Sequence, residues 1–154
     1  MKIMRNFLLL VCFSLLHGCS NFDDEIGLEC KTDETGPENY KSYWTDMYLI
    51  INKSTKFCTQ YNLPLELADN GNIYYSRHRL WEGDYNNYEC IEKKPGGETR
   101  IIIDRTSLKG QQRHVSNLTT RNKYQLLKCE LIPVKQIKSR IDRKVKTFTD
   151  KRKI

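Results

Sequence analysis

Between residues 26 and 132 the apolar positions fall in short runs rich in β-branched and aromatic side chains, interrupted by Gly, Pro, Asn and Asp. Runs of this kind bounded by turn residues predict antiparallel strands. Residues 47–51, the turn Asn52-Lys53-Ser54-Thr55 and residues 56–61 read as strand, turn, strand. Trp44, Met47, Tyr48 and Ile51 also fit a helical stripe, so the first of these strands has a helical alternative. Asp69-Asn70-Gly71-Asn72 is a strong turn signal, and residues 73–81 and 85–92 flank Glu82-Gly83-Asp84 as a second hairpin. Pro95-Gly96-Gly97 makes the next turn and introduces residues 99–104, the clearest strand in the chain. A weaker strand is expected over 108–112, and residues 119–122 separate it from a last one over 124–132. About seven or eight strands with no alternating helices give an all-β fold, an antiparallel meander forming a small barrel or sandwich. A parallel α/β sheet is excluded.

The period changes after residue 132. Val134, Ile137, Ile141, Val145 and Phe148 recur at steps of 3, 4, 4 and 3, which puts them on one face of a helix, and Pro133 suits its first turn. Residues 135–154 carry nine basic and two acidic side chains, a charge of +7. Residues 19–134 hold 15 basic against 17 acidic residues, a charge of −2, so the excess positive charge lies in the tail. A basic amphipathic helix can dock its stripe on its own domain and solvate its cations, lie on anionic lipid, or engage a protein partner. Lys135, Lys138, Arg140, Arg143, Lys144 and Lys146 form the candidate membrane or partner surface.

The first residues have a third pattern. Lys2 and Arg5 precede about ten apolar residues over 7–16, too few to cross a bilayer as a helix and the length of a signal-peptide core. The run ends in Leu16-His17-Gly18-Cys19-Ser20. This resembles the lipobox of bacterial lipoproteins, in which a Leu three places before the cysteine and a small residue just before it precede a lipid-modified Cys. The resemblance implies cleavage after Gly18 and lipidation of Cys19 with a diacylglyceryl and an N-acyl chain, together a firm membrane anchor. In enteric lipoproteins Asp after the modified Cys retains the protein in the inner membrane. Ser20 stands here, so the resemblance implies the outer membrane, facing the periplasm. The expected organisation is a signal peptide over 1–18, a lipidated Cys and tether over 19–25, a β-domain over 26–132 and a basic helical tail over 133–154. The six residues after Cys19 span at most about 20 Å, which keeps the domain near the lipid.

Export changes how the cysteines are read. Cys12 leaves with the signal and Cys19 is acylated, so Cys30, Cys58, Cys90 and Cys129 remain, and an even number in an oxidising compartment reads as two disulfides. Without a Cys-x-x-Cys pair, no metal site is expected. Three pairings are possible. Leu28-Glu29-Cys30 and Lys128-Cys129-Glu130 look like opening and closing strands that meet if the sheet curls on itself, which favours Cys30 with Cys129 and leaves Cys58 with Cys90. Leu28-Glu29-Cys30, the segment 101–108 beginning Ile101-Ile102-Ile103-Asp104, and Leu126-Leu127-Lys128-Cys129 also loosely resemble small exported proteobacterial proteins. That likeness implies a β-meander and no activity.

Composition adds bounds. A chain of 154 residues with 38% hydrophobic and 29% charged residues supports one modest domain and is too apolar for wholesale disorder. The +7 net charge would suit nucleic acid, but an exported address removes that partner. After the signal only His78 and His114 remain, with no Gly-x-Ser-x-Gly, His-Glu-x-x-His or phosphate-cradling loop. His78, among Arg77, Arg79 and Trp81, is expected to be an exposed strand residue, and His114 to lie in a polar loop. Glu82, Asp84 and Glu89 could supply an acid and base pair but are explained by turn formation. Tyr40, Tyr43, Trp44 and Tyr48, and Tyr74, Tyr75, Trp81, Tyr85 and Tyr88, are expected mostly as core and cross-strand pairs, with a ligand or partner surface as the alternative. No catalytic residue and no cofactor are assigned. The expectation is a noncatalytic, membrane-anchored envelope lipoprotein that binds or assembles with an envelope protein or anionic lipid. A lipocalin-like carrier of a small ligand, or an inhibitor of an incoming cell-wall enzyme, is the alternative.

Overall fold

A computed structural model describes residues 24–33, 46–117 and 123–151. Eight strands follow one another: β1 Glu25–Thr32, β2 Met47–Asn52, β3 Phe57–Asn62, β4 Ser76–Trp81, β5 Asn87–Lys94, β6 Gly97–Asp104, β7 Lys109–Ser116 and β8 Lys123–Leu131. Each pairs antiparallel with the next, and β1 pairs with β8, so the sheet is a closed barrel in sequence order. Closure decides between the barrel and the sandwich. It leaves no strand edge exposed, which a two-layer sandwich would. Residues 47–52 are a strand, and the helical stripe through Met47 and Tyr48 arises because both faces of β2 are covered.

The turns follow their residues. Pro95 and Gly96 join β5 to β6, with Gly96 at φ 93°, a backbone that glycine adopts without steric cost. Asp104 accepts hydrogen bonds from the amides of Thr106 and Ser107 at 3.0 and 2.6 Å and so builds the β6–β7 turn. Two elements differ from expectation. β7 runs four residues beyond Gln112, because its partner β6 continues to Gly97 and supplies the ladder. β4 begins at Ser76, and Ile73 makes only an isolated bridge to Leu67.

The alternation of strand side chains divides the barrel interior into two halves. At the end where β1 begins, Leu28, Leu49, Ile51, Leu80, Ile101, Ile103 and Leu127 fill it. Toward the other end the buried side chains are Gln60, His78, Gln112 and Gln125. Both disulfides lie between the strands of this interior. Cys30 is joined to Cys129, its cross-strand neighbour on the β1–β8 seam. Cys58 on β3 is joined to Cys90 on β5, and the bond passes across β4.

After β8 the chain turns at Pro133 into α1, Val134–Lys151. The helix lies on the outer face of β1, β2 and β3. Its Ile137 is fully buried, and with Val134 and Ile141 it packs on Tyr48, Ile50, Tyr61, Leu63 and Leu65. Gly27 permits the approach: a Cβ there would stand 2.4 Å from the carbonyl oxygen of Ile132 and 3.1 Å from Ile137. At its other end Phe148 reaches Gly71 in the β3–β4 loop. The helix therefore runs the height of the barrel.

Candidate functional site

The exposed side of α1 and the barrel end from which it starts bring together most of the charge-bearing residues singled out by sequence. The apolar stripe at 134, 137 and 141 is spent on the barrel, so the cations sort by what lies beside that stripe. Arg140 donates to Glu29 Oε2 at 2.9 Å and to the Tyr48 hydroxyl. Its guanidinium carbon stands 5.4 Å from the Tyr48 ring centre. Lys138 donates to Glu25 Oε2 at 2.8 Å. That hydrogen bond, more than the one from Asn52, holds the Glu25 carboxyl below its ordinary range against the opposing effect of burial.

Lys138 and Arg140 thus clamp the helix to β1. Among the described residues no carboxylate pairs with Lys135, Arg143, Lys144 or Lys146, all of which are exposed. Lys135, Arg143 and Lys146 border an open groove of about 820 Å³ between the helix and the β1–β8 seam, with Ile26, Leu131 and Asp142 on its walls. Lys144 lies on the opposite flank of the helix, beside Leu63, Leu65 and Thr147. The six cations are therefore two helix clamps and four outward charges rather than one uniform surface. Cys19, Tyr40, Tyr43 and Trp44 lie outside the described residues.

The histidines differ from expectation. His78 is 1% exposed, not exposed, because Arg77 and Arg79 take the outward positions of β4 and strand alternation turns His78 inward with Leu80. Its Nε2 meets Gln60 Oε1 at 3.0 Å, and Gln60 in turn donates to Asn62. Its Nδ1 and the Oε1 of Gln112 have no hydrogen-bond partner among the described residues. Burial pushes the His78 pKa down, against the pull of Glu92. His114 lies on β7 rather than in a loop, with Nδ1 3.0 Å from Thr99 Oγ1 on β6. Cross-strand pairing sets Thr99 beside both His114 and Glu92.

The three acidic residues of the β4–β5 hairpin are not brought to one point. Glu82 pairs with Lys56, Asp84 accepts from the Asn86 amide at 2.8 Å and from Asn87, and Glu89 pairs with Arg100 at 2.7 Å. The Asn87 hydrogen bond, followed by that of Asn86, lowers the Asp84 pKa. Among the described residues no three His, Cys, Asp or Glu side chains gather as a metal site.

The aromatic residues also depart from expectation. Tyr74, Tyr75, Trp81 and Tyr85 are exposed, because Tyr74 and Tyr75 sit in the β3–β4 loop, β4 sends Trp81 outward with Arg77 and Arg79, and Tyr85 sits in the β4–β5 loop. Tyr48 is buried, but under α1 rather than inside the barrel. Trp81 lies beside Arg79, Ile91 and Arg100 in an outer groove of about 480 Å³. The polar interior of Gln60, His78, Gln112 and Gln125 was not singled out from sequence. For three of them the signal was there, since Gln60, His78 and Gln125 lie two residues from the inward Cys58, Leu80 and Leu127, whereas Gln112 is opposite the inward Ile101 only through the β6–β7 register.

Comparison of the chain with protein-family models, with curated proteins and with solved structures finds no match.

Proposed function

We propose that the protein is a noncatalytic, lipid-anchored envelope lipoprotein whose barrel and docked helix serve as a binding or assembly module. Cys19 carries the anchor in the outer membrane facing the periplasm. Support for the anchor comes from the charged start, short apolar run and Leu16-His17-Gly18-Cys19 box, and two disulfides suit an oxidising compartment. The observation that carries the binding role is the division of labour on α1. Its apolar stripe, Lys138 and Arg140 fix it to the barrel, so Lys135, Arg143, Lys144 and Lys146 are presented on a rigid support. Charges held rigidly lose less entropy on engaging a partner or anionic headgroups than charges on a loose tail.

The test uses three forms in intact cells: the natural chain, Cys19→Ser, and a variant with Lys135, Arg143, Lys144 and Lys146 all changed to Glu. The natural chain is expected in the membrane fraction with a lipidated Cys19 by mass spectrometry, and Cys19→Ser in the soluble periplasm. The Glu variant is expected to stay anchored and to lose the crosslinked neighbours that the natural chain captures. Retention of Cys19→Ser in the membrane removes the anchor, and identical crosslinks from the Glu variant remove the role of the helix.

A carrier role is the second reading, favoured by one observation: His78 Nδ1 and Gln112 Oε1, in a closed eight-stranded barrel, have no partner among the described residues. Buried polar atoms of this kind are satisfied by a ligand or by ordered water. The buried polar side chains described there are amides and an imidazole, so the cargo would be small and polar. Native mass spectrometry of the envelope-derived protein distinguishes the two: a retained small molecule that His78→Leu abolishes supports a carrier, and a bare protein mass removes it.

A further inference from the structure

We infer that the polar half of the barrel interior is a binding site for the ammonium group of a small primary amine. The inference rests on the carrier reading and deepens it, since that reading fixes neither the charge of the cargo nor the atoms that hold it. Inside the barrel two buried side-chain atoms have no hydrogen-bond partner among the described residues, Nδ1 of His78 and Oε1 of Gln112, and each residue is 1% exposed. A third such atom, Arg113 Nε, belongs to the outer face, because strand alternation turns it away from the inward Gln112.

Both interior atoms are acceptors. Gln60 donates its amide nitrogen to Asn62 at 2.7 Å, so its oxygen accepts from His78 Nε2 and leaves a lone pair on Nδ1. Gln125 donates to Thr32 Oγ1 at 2.7 Å. The layer thus spends donors on itself and holds acceptors over. An anion does not suit it, because its oxygens would meet lone pairs. Water is a poor match as well: it brings two donors and two lone pairs, and among the described residues no buried side-chain donor inside the barrel is left for the lone pairs. An ammonium group brings donors alone.

Charge points the same way. Cys90 faces inward to its disulfide, so alternation on β5 turns Glu92 inward two residues on. Its side chain is 17% exposed, while that of Lys94, which pairs with it at 2.9 Å, is 64% exposed. The anion of this pair is therefore the enclosed member and the cation the solvated one. A buried ammonium needs such a counter-charge, and Glu92 already acts electrostatically on the His78 ring. Leu28, Leu49 and Ile51 fill the end where β1 begins, so the amine enters from the end where β5 turns into β6. An eight-stranded barrel has room for one small ligand, which bounds the size of the amine.

The test titrates methylammonium chloride into the envelope-derived protein carrying isotope-labelled histidine, at about pH 8, where imidazole is neutral and the amine is protonated. The ring nitrogens are followed by NMR at constant ionic strength, with methanol and sodium acetate as the comparison ligands. His78 Nδ1 is expected to shift and saturate with methylammonium and to stay in place with the other two. Saturation by methanol or acetate overturns the inference, and so does no response to methylammonium, which leaves both atoms to ordered water. Gln112→Met is expected to weaken methylammonium binding by about tenfold, and Glu92→Gln, at a position that reaches solvent, by about fivefold, with the Nε2 resonance of His78 unmoved in both. Unchanged affinity in Glu92→Gln also overturns it. Native mass spectrometry decides the carrier reading separately. A retained acid keeps the carrier and overturns the ammonium site, whereas a protein that leaves the envelope empty and still saturates with methylammonium keeps the site and removes the carrier.

Discussion

His78 Nε2 and Gln60 Oε1 stand 3.0 Å apart inside the barrel, and this contact fixes the chemistry of the ring. Gln60 directs its amide nitrogen to Asn62, so its oxygen accepts and His78 donates from Nε2. Nδ1 is then an acceptor, and protonating it would bury a charged donor that has no partner among the described residues. The folded pKa therefore lies below the ordinary 6.5. The unfolded state binds the proton more readily, so the contribution of His78 to stability is complete above about pH 6.5 and is lost as the pH falls toward the depressed folded value. Urea midpoints measured from pH 7.5 to 5.5 should fall, with a limiting slope of about 1.4 kcal/mol per pH unit from this group. His78→Gln should flatten the dependence in that window. Glu25, Asp84 and Asp104, whose pKa values are lowered, act in a separate window: their contributions are present above about pH 4 and vanish as the pH falls through their folded values.

The two disulfides should not be worth the same. Cys30 and Cys129 are 99 residues apart and Cys58 and Cys90 are 32 apart. The chain-entropy model gives about 4.7 kcal/mol for the first and about 3.7 for the second. Paired Cys→Ala variants compared by denaturant titration should lose more stability from the seam bond. A larger loss from the Cys58 and Cys90 pair would show that its position inside the barrel outweighs loop length.

Docking of α1 depends on one absent side chain. Gly27→Val should force the helix from β1, at a cost of about 1 to 3 kcal/mol. Ile137→Ala, which empties a fully buried position, should cost about 2 to 5 kcal/mol. In both, amide hydrogen exchange should rise first in α1, while β4 to β7 keep their protection.

The two clamps should differ in strength. Lys138 and Glu25 are substantially exposed, and such a pair is worth about 0 to 1 kcal/mol. Arg140 and Glu29 are more enclosed and share Tyr48 as a third member. Arg140→Ala should cost more stability than Lys138→Ala, which should lose no more than about 0.5 kcal/mol. Thermal melts at low and high salt would separate them, since only the exposed pair should be strongly screened.

Much of this architecture was legible in the chain because it is encoded locally. Asn52 to Thr55, Pro95-Gly96 and the 134, 137, 141 stripe each announce their element within a few residues. Closure was not local. That Leu28 faces Leu131 depends on the summed twist and register of seven intervening pairings, and the cysteines hinted at it only because they lie on the first and last strands. The fate of Lys138 and Arg140 was hidden for the same reason, since their partners Glu25 and Glu29 are over a hundred residues away. His78 was misjudged from its charged neighbours, although alternation with Leu80 places it inside. The exposure of Trp81 and Tyr85 was missed because aromatic enrichment marks strands without saying which face they take.

The seam between β1 and β8 also sets an order of events. No partial barrel is complete: until β8 arrives, β1 and the last strand formed each present unpaired backbone groups, and those edges are where nascent β-chains pair with one another. Contacts across such sequence distances form slowly, on the scale of milliseconds to seconds. The segment that ends this vulnerable interval is the same C-terminal stretch that supplies Cys129 and then α1, which lies across the outside of β1. The stretch that follows every other strand is thus the one that closes the sheet, bonds it and covers it, so a chain held unfolded until that stretch is present escapes a hazard that a chain folding piecemeal would meet.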